Sequence, residues 1–210
     1  MTRGRFITFE GGEGAGKSTQ LKRLVERLRD AGLEVTATRE PGGSPGAEAI
    51  RELVLNGPAD RWSPLTETLL MYAARRDHVE RVIGPALARG AWVVCDRFAD
   101  STRAYQGAGG AVDPTLIAAL EDHVLGVVRP DLTLVFDLPP EAGLARAHAR
   151  GGEMRFESKG LAFHGRLREG FLAIARSEPE RCVLIDATQP IETVSAQVFA
   201  IVSERLGLHG

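Results

Sequence analysis

The sequence predicts an α/β fold in which a five-stranded parallel sheet carries helices on both faces. Five short runs rich in β-branched and other apolar residues recur along the chain, and segments of helical period separate them. Strands that alternate with helices in this way pair in parallel and need a helical cover on both faces. The chain has 210 residues, 43% hydrophobic and 26% charged, which is an ordinary globular composition. We therefore expect a single domain over residues 1–210.

The predicted elements follow from local patterns. The five strands share a short apolar core: 5–10, 34–38, 91–95, 132–137 and 181–186. The helices share apolar residues spaced three or four apart: 18–30, 65–83, 115–124, 140–150, 161–177 and 191–206. Ser63 before Pro64 and Asp113 before Pro114 are typical helix starts. Proline and glycine predict irregular backbone at 39–46 and 107–110, and the polar segment 151–160 suits a flap between two helices.

The strongest chemical signal is a glycine-rich motif between the first predicted strand and the first predicted helix. It matches the pattern G-x-x-x-x-G-K-[ST] and reads Gly11-Gly12-Glu13-Gly14-Ala15-Gly16-Lys17-Ser18, followed by Thr19. Glycines allow backbone N–H groups to surround a phosphate, and the helix N-terminus adds its dipole. Lys17 would reach the β- and γ-phosphates, and the Ser18 hydroxyl would hold Mg²⁺. The motif predicts a P-loop NTPase fold that binds a nucleoside triphosphate.

Other features narrow the class of nucleotide-binding protein. The N-K-x-D motif with which GTPases read guanine does not occur, and the chain is short for a large ATPase, so a small kinase is favoured. Arg39 and Arg97 follow two predicted strands at the carboxyl edge of the sheet, where α/β proteins bind ligands. They indicate a second phosphate site facing the first, although Arg97 beside Asp96 could instead form a supporting ion pair. Of Arg75 and Arg76, we expect one to lie on a solvated helix face.

Charge and cysteine content exclude several other roles. The formal net charge is −2, which argues against binding nucleic acid or a membrane surface through overall charge. We find no run long enough for a signal peptide or a membrane span, and so expect a cytoplasmic protein. Cys95 and Cys182 lie within predicted strands, so we expect buried thiols rather than a disulfide or a metal site.

The chain resembles the thymidylate kinases over nearly its full length. The motifs that carry the resemblance are, in order, F-E-G-G-E-G-A-G-K-S, T-R-E-P-G-G, A-A-R, D-R-F, S-x-x-A-Y-Q-G, R-P-D-L-T, P-E and D-A-T-Q-P. The resemblance implies a nucleoside monophosphate kinase-like fold that transfers the γ-phosphoryl of Mg-ATP to dTMP, giving dTDP and ADP. It also implies a homodimer packed through long helices, in which Leu69 and Leu70 of the predicted helix 65–83 could take part.

The resemblance further implies roles for residues on the acceptor side. Arg39 and Arg97 would bind the 5′-phosphate of dTMP, Glu13 would approach the 3′-hydroxyl and Tyr105 would pack on the sugar. The remaining expected acceptor residues are those around the thymine base: Met71, Arg75, Ser101, Thr102 and Gln106. Met71 stands where the family commonly has a phenylalanine stacked on the base, and its neighbour Tyr72 is a substitute out of helical phase.

On the donor side, Gly14 stands where one branch of the family carries an arginine. The chain therefore resembles the bacterial branch, in which a lid, here about 150–160, supplies the cations. Arg155 would reach the transferring phosphoryl, Arg150 could stack on adenine, and Asp96 would join Ser18 at the metal. The expected catalytic set is thus Lys17, Arg97, Arg155 and Glu13. Two alternatives stay open: a deoxynucleoside kinase that phosphorylates a sugar hydroxyl, and a nucleotide-binding switch without catalysis.

Overall fold

The computed structural model describes residues 3–58, 60–150 and 156–208. Five parallel strands form one sheet in the order β2-β3-β1-β4-β5. Their bounds are β1 Phe6–Gly11, β2 Val35–Arg39, β3 Trp92–Asp96, β4 Leu132–Asp137 and β5 Cys182–Asp186. Each end lies within one residue of the prediction, and the predicted fold class is confirmed. Because β1 lies at the centre of the sheet, the loop that follows it emerges between the carboxyl ends of β3 and β4, where such sheets bind ligands.

Helices connect the strands and cover both faces of the sheet. They are α1 Lys17–Asp30, α2 Pro45–Leu55, α3 Pro64–His78, α4 Gly84–Ala88, α5 Ala99–Thr102, α6 Pro114–Leu125, α7 Pro140–Arg150, α8 Gly160–Ser177 and α9 Ile191–Leu206. Two π-helical segments, Val79–Ile83 and Arg103–Gly109, continue α3 and α5, and a 3₁₀ turn spans Glu157–Lys159. In the described part of the chain, no helix combines the length and the apolar character that crossing a bilayer requires.

The structure departs from the predicted elements in three places. The predicted helix 65–83 changes to π-helical geometry at Val79. The expected break at 107–110 is helical up to Gly109, since the π-helical segment packs against α8 and does not depend on the intrinsic preference of its glycines. Helix α2 was not predicted, because Ser44 and Pro45 start it inside a stretch that looked irregular. Of its eleven residues only Ala47 and Val54 are buried, so its apolar periodicity is weak.

The core lies on both sides of the sheet because successive strand residues point to opposite faces. On one face, Ile7 of β1 packs in a cluster with Leu24 of α1 and Val198 of α9. On the other face, Phe6 packs in a cluster with Ile83 and Phe98. Cys95 and Cys182 are buried and free, as predicted. The two layers hold β1 rigidly, and so they fix the position of the loop that follows it.

Substitution of two glycines of α8 by alanine should change the free energy of unfolding in opposite directions. A Cβ at Gly170 would lie 2.8 Å from the Ala108 methyl carbon of the π-helical segment, whereas a Cβ at Gly165 would meet nothing within 4 Å. We expect Gly165→Ala to raise the free energy of unfolding by about 0.5–1 kcal/mol, because alanine loses less backbone entropy in a helix. Gly170→Ala should lower it by about 1–3 kcal/mol through overpacking. Urea denaturation measures both, and shifts of the same sign would contradict this packing.

Candidate functional site

The phosphate loop, residues 11–18, curves tightly between β1 and α1. Gly14 and Gly16 adopt positive φ angles of 65° and 85°, which are accessible to glycine and unfavourable for most other residues. Lys17 spans the loop, and its ammonium donates to the carbonyl oxygens of Gly11 at 3.1 Å and Gly12 at 2.7 Å. The predicted residues Gly11 to Thr19 thus form a cradle at a helix N-terminus, which is suited to an anion.

The back of the phosphate loop lies directly against α7. A Cβ at Gly14 would overlap the carbonyl oxygen of Gly143, and a Cβ at Gly143 would overlap the carbonyl oxygen of Glu13. The loop can adopt this position only because both residues lack a side chain. An arginine at position 14 would require α7 to move away from the loop, which gives a physical reason for the glycine found here.

The ammonium of Lys17 lies in a strongly charged environment. Burial lowers the pKa of Lys17 to about 8, and the positive charge of Arg97 acts in the same direction. The carboxylates of Asp96 and Glu13 oppose this shift. Lys17 therefore stays largely protonated at neutral pH and keeps its positive charge for phosphate binding.

The centre of the site is the Glu13 cluster, which consists of Glu13, Arg97 and Tyr105. Arg97 donates from Nη2 to Glu13 Oε1 at 3.0 Å and from Nη1 to the Gly11 carbonyl oxygen at 2.9 Å. The Tyr105 hydroxyl donates to the same Glu13 oxygen at 2.6 Å, and the Arg97 guanidinium lies 5.0 Å from the centre of the Tyr105 ring. Arg97 thus forms an ion pair, with Glu13 and not with its neighbour Asp96.

Glu13 is ionised in spite of its burial. Burial alone would raise its pKa, but the charges of Arg97 and Lys17 and the hydrogen bond from Tyr105 outweigh it and hold the pKa at about 2. A carboxylate with such a low pKa is a weak proton acceptor and therefore a poor general base. Its contacts suit it instead to orient Arg97 and Tyr105.

Two oxygen ligands suited to a magnesium ion meet beside the phosphate loop. The Ser18 hydroxyl donates to Asp96 Oδ2 at 2.5 Å, and Asp96 Oδ1 is buried without a hydrogen-bond partner among the described residues. In the same ranges of the chain, no group of three His, Cys, Asp or Glu side chains could hold a metal alone. Mg²⁺ commonly takes one or two protein oxygens and completes its shell with phosphates and water. The residues present therefore fit a Mg²⁺ ion that is shared with a nucleotide.

A groove of about 510 Å³ runs from the phosphate loop toward the D-A-T-Q-P turn. Arg146 of α7 lines it and donates from Nη1 to the Ala187 carbonyl oxygen at 3.2 Å. The sequence predicted Arg150, the last residue of α7, for this position. The side chain of Arg150 and the whole of Arg155 lie outside the described part of the structure. Arg146 lies one helical turn earlier, and this i, i+4 spacing was the signal that could have identified it.

On the opposite side of the site, Arg75 is buried and has three protein partners. It donates to Glu40 at 2.7 Å, to the Thr102 hydroxyl at 3.0 Å and to the Phe98 carbonyl oxygen at 2.9 Å. Arg76 lies on an exposed helix face, as expected for one of this pair. The guanidinium plane of Arg75 is therefore fixed before any ligand binds.

The neighbours of Arg75 on α3 differ in their access to the cleft. Tyr72 is 2% exposed, and its hydroxyl donates to the Ile117 carbonyl oxygen at 3.3 Å, so its ring does not replace the stacked phenylalanine. Met71 is half-buried. Gln106 is also buried, and its amide donates to Glu67 at 2.8 Å.

Among the described contacts, Arg39 has none with the Glu13 cluster, whereas the Ser101 hydroxyl oxygen accepts from Arg97 Nη1 at 3.3 Å. Arg39 ends β2 in register with Asp96, but its half-exposed side chain donates to Glu48 at 3.1 Å. The Ser101 hydroxyl donates to Glu10 at 2.6 Å. Burial, followed by the charge of Asp100, raises the pKa of Glu10 to about 7.

Sequence reasoning missed the carboxylates that hold these donors in place. The missed partners are Glu10, Glu40, Glu48 and Glu67, together with His78 beside Glu40. Glu10 and Glu40 lie inside quoted motifs, so their positions were available as a signal. For the others no local pattern pointed to a role.

Comparison with known proteins finds one family over nearly the whole chain. The family model for thymidylate kinase matches residues 9–198. A thymidylate kinase of Caulobacter vibrioides is 70% identical over 208 residues, which cover 99% of this chain and 100% of the relative. One from Bradyrhizobium diazoefficiens is 56% identical over 97% of this chain and 91% of its own length. The crystal structure of thymidylate kinase from Ehrlichia chaffeensis superposes with a TM-score of 0.79 at 34% identity, covering 95% of this chain and 99% of that one.

Substitution of Gly143 should weaken nucleotide binding indirectly, because Gly143 contacts the phosphate loop from behind. Because a Cβ at this position overlaps the Glu13 carbonyl, Gly143→Ala must displace either α7 or the phosphate loop. We expect the Kd for ADP to rise at least about tenfold, since displacements of about 1 Å have large effects on a preformed site. Isothermal titration calorimetry measures the change, with Gly165→Ala as the matched control. Equal affinities for the two variants would contradict the close packing of α7.

Glu10 should make stability depend on pH. Because its pKa of about 7 in the fold exceeds the ordinary value of 4.5, the fold favours the protonated form. The stabilisation is complete below about pH 4.5 and is lost as the pH rises through 7. Relative to Glu10→Gln, the free energy of unfolding of the native chain should therefore fall between pH 5 and 8, by on the order of 3 kcal/mol. Urea denaturation at several pH values tests this, and parallel profiles would exclude it.

Proposed function

The chain belongs to the thymidylate kinase family, and from this premise we propose how its residues carry out the reaction. The reaction transfers the γ-phosphoryl of ATP to dTMP and gives ADP and dTDP. The observation that carries our assignment is the Glu13 cluster, because Arg97 and Tyr105 of one segment meet a carboxylate of the phosphate loop itself. Donor and acceptor residues are thereby joined in a single hydrogen-bonded unit.

For the donor, we assign the triphosphate of ATP to the phosphate loop and its adenine to the groove of Arg146. Lys17 and the N-terminal N–H groups of α1 would bind the β- and γ-phosphates. Arg146 is held against the D-A-T-Q-P turn, and a planar guanidinium in that position can stack on a purine. Arg150, four residues further along α7, stays as the alternative from the resemblance.

For the metal, the Asp96 carboxylate and the Ser18 hydroxyl are the proposed protein ligands. Asp96 Oδ1 has no hydrogen-bond partner among the described residues, and this supports the assignment because a buried carboxylate oxygen needs a donor or a cation. Bound Mg²⁺ would shield the phosphate charges and orient the terminal phosphates.

For the acceptor, we assign the 5′-phosphate of dTMP to Arg39 and Arg97. Tyr105 would pack on the deoxyribose, with Glu13 near the 3′-hydroxyl. The residues proposed for the thymine pocket are those of α3 and of the segment after β3: Met71, Arg75, Ser101, Thr102 and Gln106. Arg75 donates to Thr102 at 3.0 Å, which supports a common pocket for these two side chains.

The chemistry requires charge neutralisation more than a base. A phosphate monoester has a second pKa of about 6, so its attacking oxygen is largely deprotonated at neutral pH. The barrier is the repulsion between two anions, which Lys17, Arg39 and Arg97 reduce while they align the reacting groups. A kinase that acts on a sugar hydroxyl would need a carboxylate base, whereas the only carboxylate of the Glu13 cluster has a pKa of about 2. The low basicity of Glu13 thus favours a phosphate acceptor.

Three further features remain proposals of the resemblance. Arg155 would place a guanidinium on the transferring phosphoryl when the lid closes, and Lys159 has no such role. Leu69 and Leu70 of α3 would contribute to a homodimer interface, and Leu69 is 48% exposed. A cytoplasmic location fits an enzyme that consumes ATP and a deoxynucleotide.

Arg39→Gln should affect the acceptor selectively. We expect KM for dTMP to rise at least about tenfold, because a charge-assisted contact to phosphate is lost, while KM for ATP changes less than about twofold. Arg81→Gln is the matched control, since Arg81 is also an exposed arginine paired with a carboxylate and lies outside the proposed site. A coupled assay of ADP release measures both constants. Equal rises for dTMP and ATP would show that Arg39 is assigned to the wrong ligand.

A further inference from the structure

His78, the last residue of α3, is completely buried and bridges two residues of the T-R-E-P-G-G segment. Its Nδ1 lies 2.9 Å from Glu40 Oε1, and its Nε2 lies 2.7 Å from the Thr38 hydroxyl oxygen. Thr38 and Glu40 flank Arg39, the proposed phosphate ligand. None of the roles assigned above to ATP, dTMP or Mg²⁺ uses this imidazole, although such a buried polar ring requires a defined environment.

The contact with Glu40 defines which ring nitrogen donates. A carboxylate only accepts hydrogen bonds, so Nδ1 carries a proton and donates to Glu40. When the ring is neutral, Nε2 accepts from the Thr38 hydroxyl. This tautomer satisfies both ring nitrogens.

The carboxylate that His78 holds is the one that orients Arg75. Glu40 Oε1 accepts from His78, and Oε2 accepts from Arg75 Nε at 2.7 Å. All three side chains are buried. Because both oxygens of Glu40 are hydrogen-bonded, its carboxylate cannot rotate freely. The fixed carboxylate in turn fixes the plane of the Arg75 guanidinium.

The turn that follows Arg39 is packed against the same ring. An added Cβ at Gly43 would overlap the His78 imidazole and would lie 2.5 Å from the Thr38 hydroxyl oxygen. The space around the ring therefore leaves no room for a shifted imidazole. Changes at His78 must reach both Glu40 and the backbone of this turn.

We propose that His78 is a positioning residue for dTMP recognition, which acts by fixing Glu40 and through it Arg75. The inference rests on the proposed role of Arg75 in the thymine pocket. It goes beyond that role because it assigns the orientation of Arg75 to a histidine that touches neither substrate.

Two amide substitutions separate the contacts of the ring. In asparagine the amide lies near the position of Nδ1, and in glutamine it lies near the position of Nε2. His78→Asn therefore keeps a donor toward Glu40, whereas His78→Gln keeps a group toward Thr38 and leaves Glu40 Oε1 without its donor. We expect KM for dTMP to rise at least about tenfold in His78→Gln and less than about threefold in His78→Asn. KM for ATP should change less than about twofold in both.

The Kd for dTMP in the absence of ATP, measured by calorimetry, should likewise rise more in His78→Gln than in His78→Asn. Urea denaturation of both variants identifies a loss of folding. If either variant is unfolded, Thr38→Val and Thr38→Ser provide the second pair, since valine removes the hydroxyl that faces Nε2 and serine retains it. Like His78→Asn, Thr38→Val removes only the contact at Nε2, so a rise in KM for dTMP of up to about threefold, reversed by Thr38→Ser, would support the proposal.

Arg75→Lys separates failure of this proposal from failure of the proposed pocket. If Arg75→Lys leaves KM for dTMP unchanged, the assignment of Arg75 itself is wrong. If Arg75→Lys raises KM for dTMP while His78→Gln and Thr38→Val do not, Arg75 is oriented without His78 and the positioning role is overturned. Equal rises in KM for dTMP with His78→Asn and His78→Gln would also overturn the positioning role. Both rises would then result only from the loss of a packed ring.

Discussion

The ionised carboxylate of Glu13 is the constraint on which the rest of the site depends. It is buried in the phosphate loop, and a buried charge is tolerated only when opposite charge and hydrogen bonds compensate it. Arg97 and Tyr105 provide both. Each of them needs an unusual backbone to do so, since Arg97 has a φ of 68° and Tyr105 lies in a π-helical segment. Such strained or rare geometry persists where surrounding contacts over-determine it, and it is common at functional sites.

This constraint links the two halves of the site. Arg97 holds the Gly11 carbonyl oxygen as well as Glu13, so an acceptor-side residue also fixes the donor loop. The sheet order makes this possible, because β3 is the direct neighbour of β1 and their carboxyl ends meet. Behind the loop, the contact between Gly14 and Gly143 ties α7 to the same unit. The phosphate loop is therefore held by Arg97 on one side and by α7 behind it before a nucleotide arrives.

The sequence was sufficient for features that are encoded locally. Strand positions follow from apolar runs, and the phosphate loop follows from a motif of eight adjacent residues. Pairings between distant residues were not predictable in this way. Glu13 and Arg97 are separated by 84 positions, and His78 and Glu40 by 38, so only the fold brings them together. Where local and tertiary preferences compete, as in the glycine-containing π-helical segment, packing against α8 decided the outcome.

The chemistry of guanidinium explains why arginine dominates the site in a chain of nearly balanced charge. All but three of the 26 basic residues are arginines, yet Lys17 occupies the one position where the phosphate motif demands an ammonium. A guanidinium presents five N–H donors in one plane, so a single side chain can be fixed by the protein and still face a ligand. Arg97 donates to Gly11, Ser101 and Glu13, and Arg75 donates to Glu40, Thr102 and Phe98. A lysine held by as many protein partners would have no donor left for substrate. Both arginines therefore enter the reaction already oriented, and little side-chain entropy remains to be lost when dTMP binds.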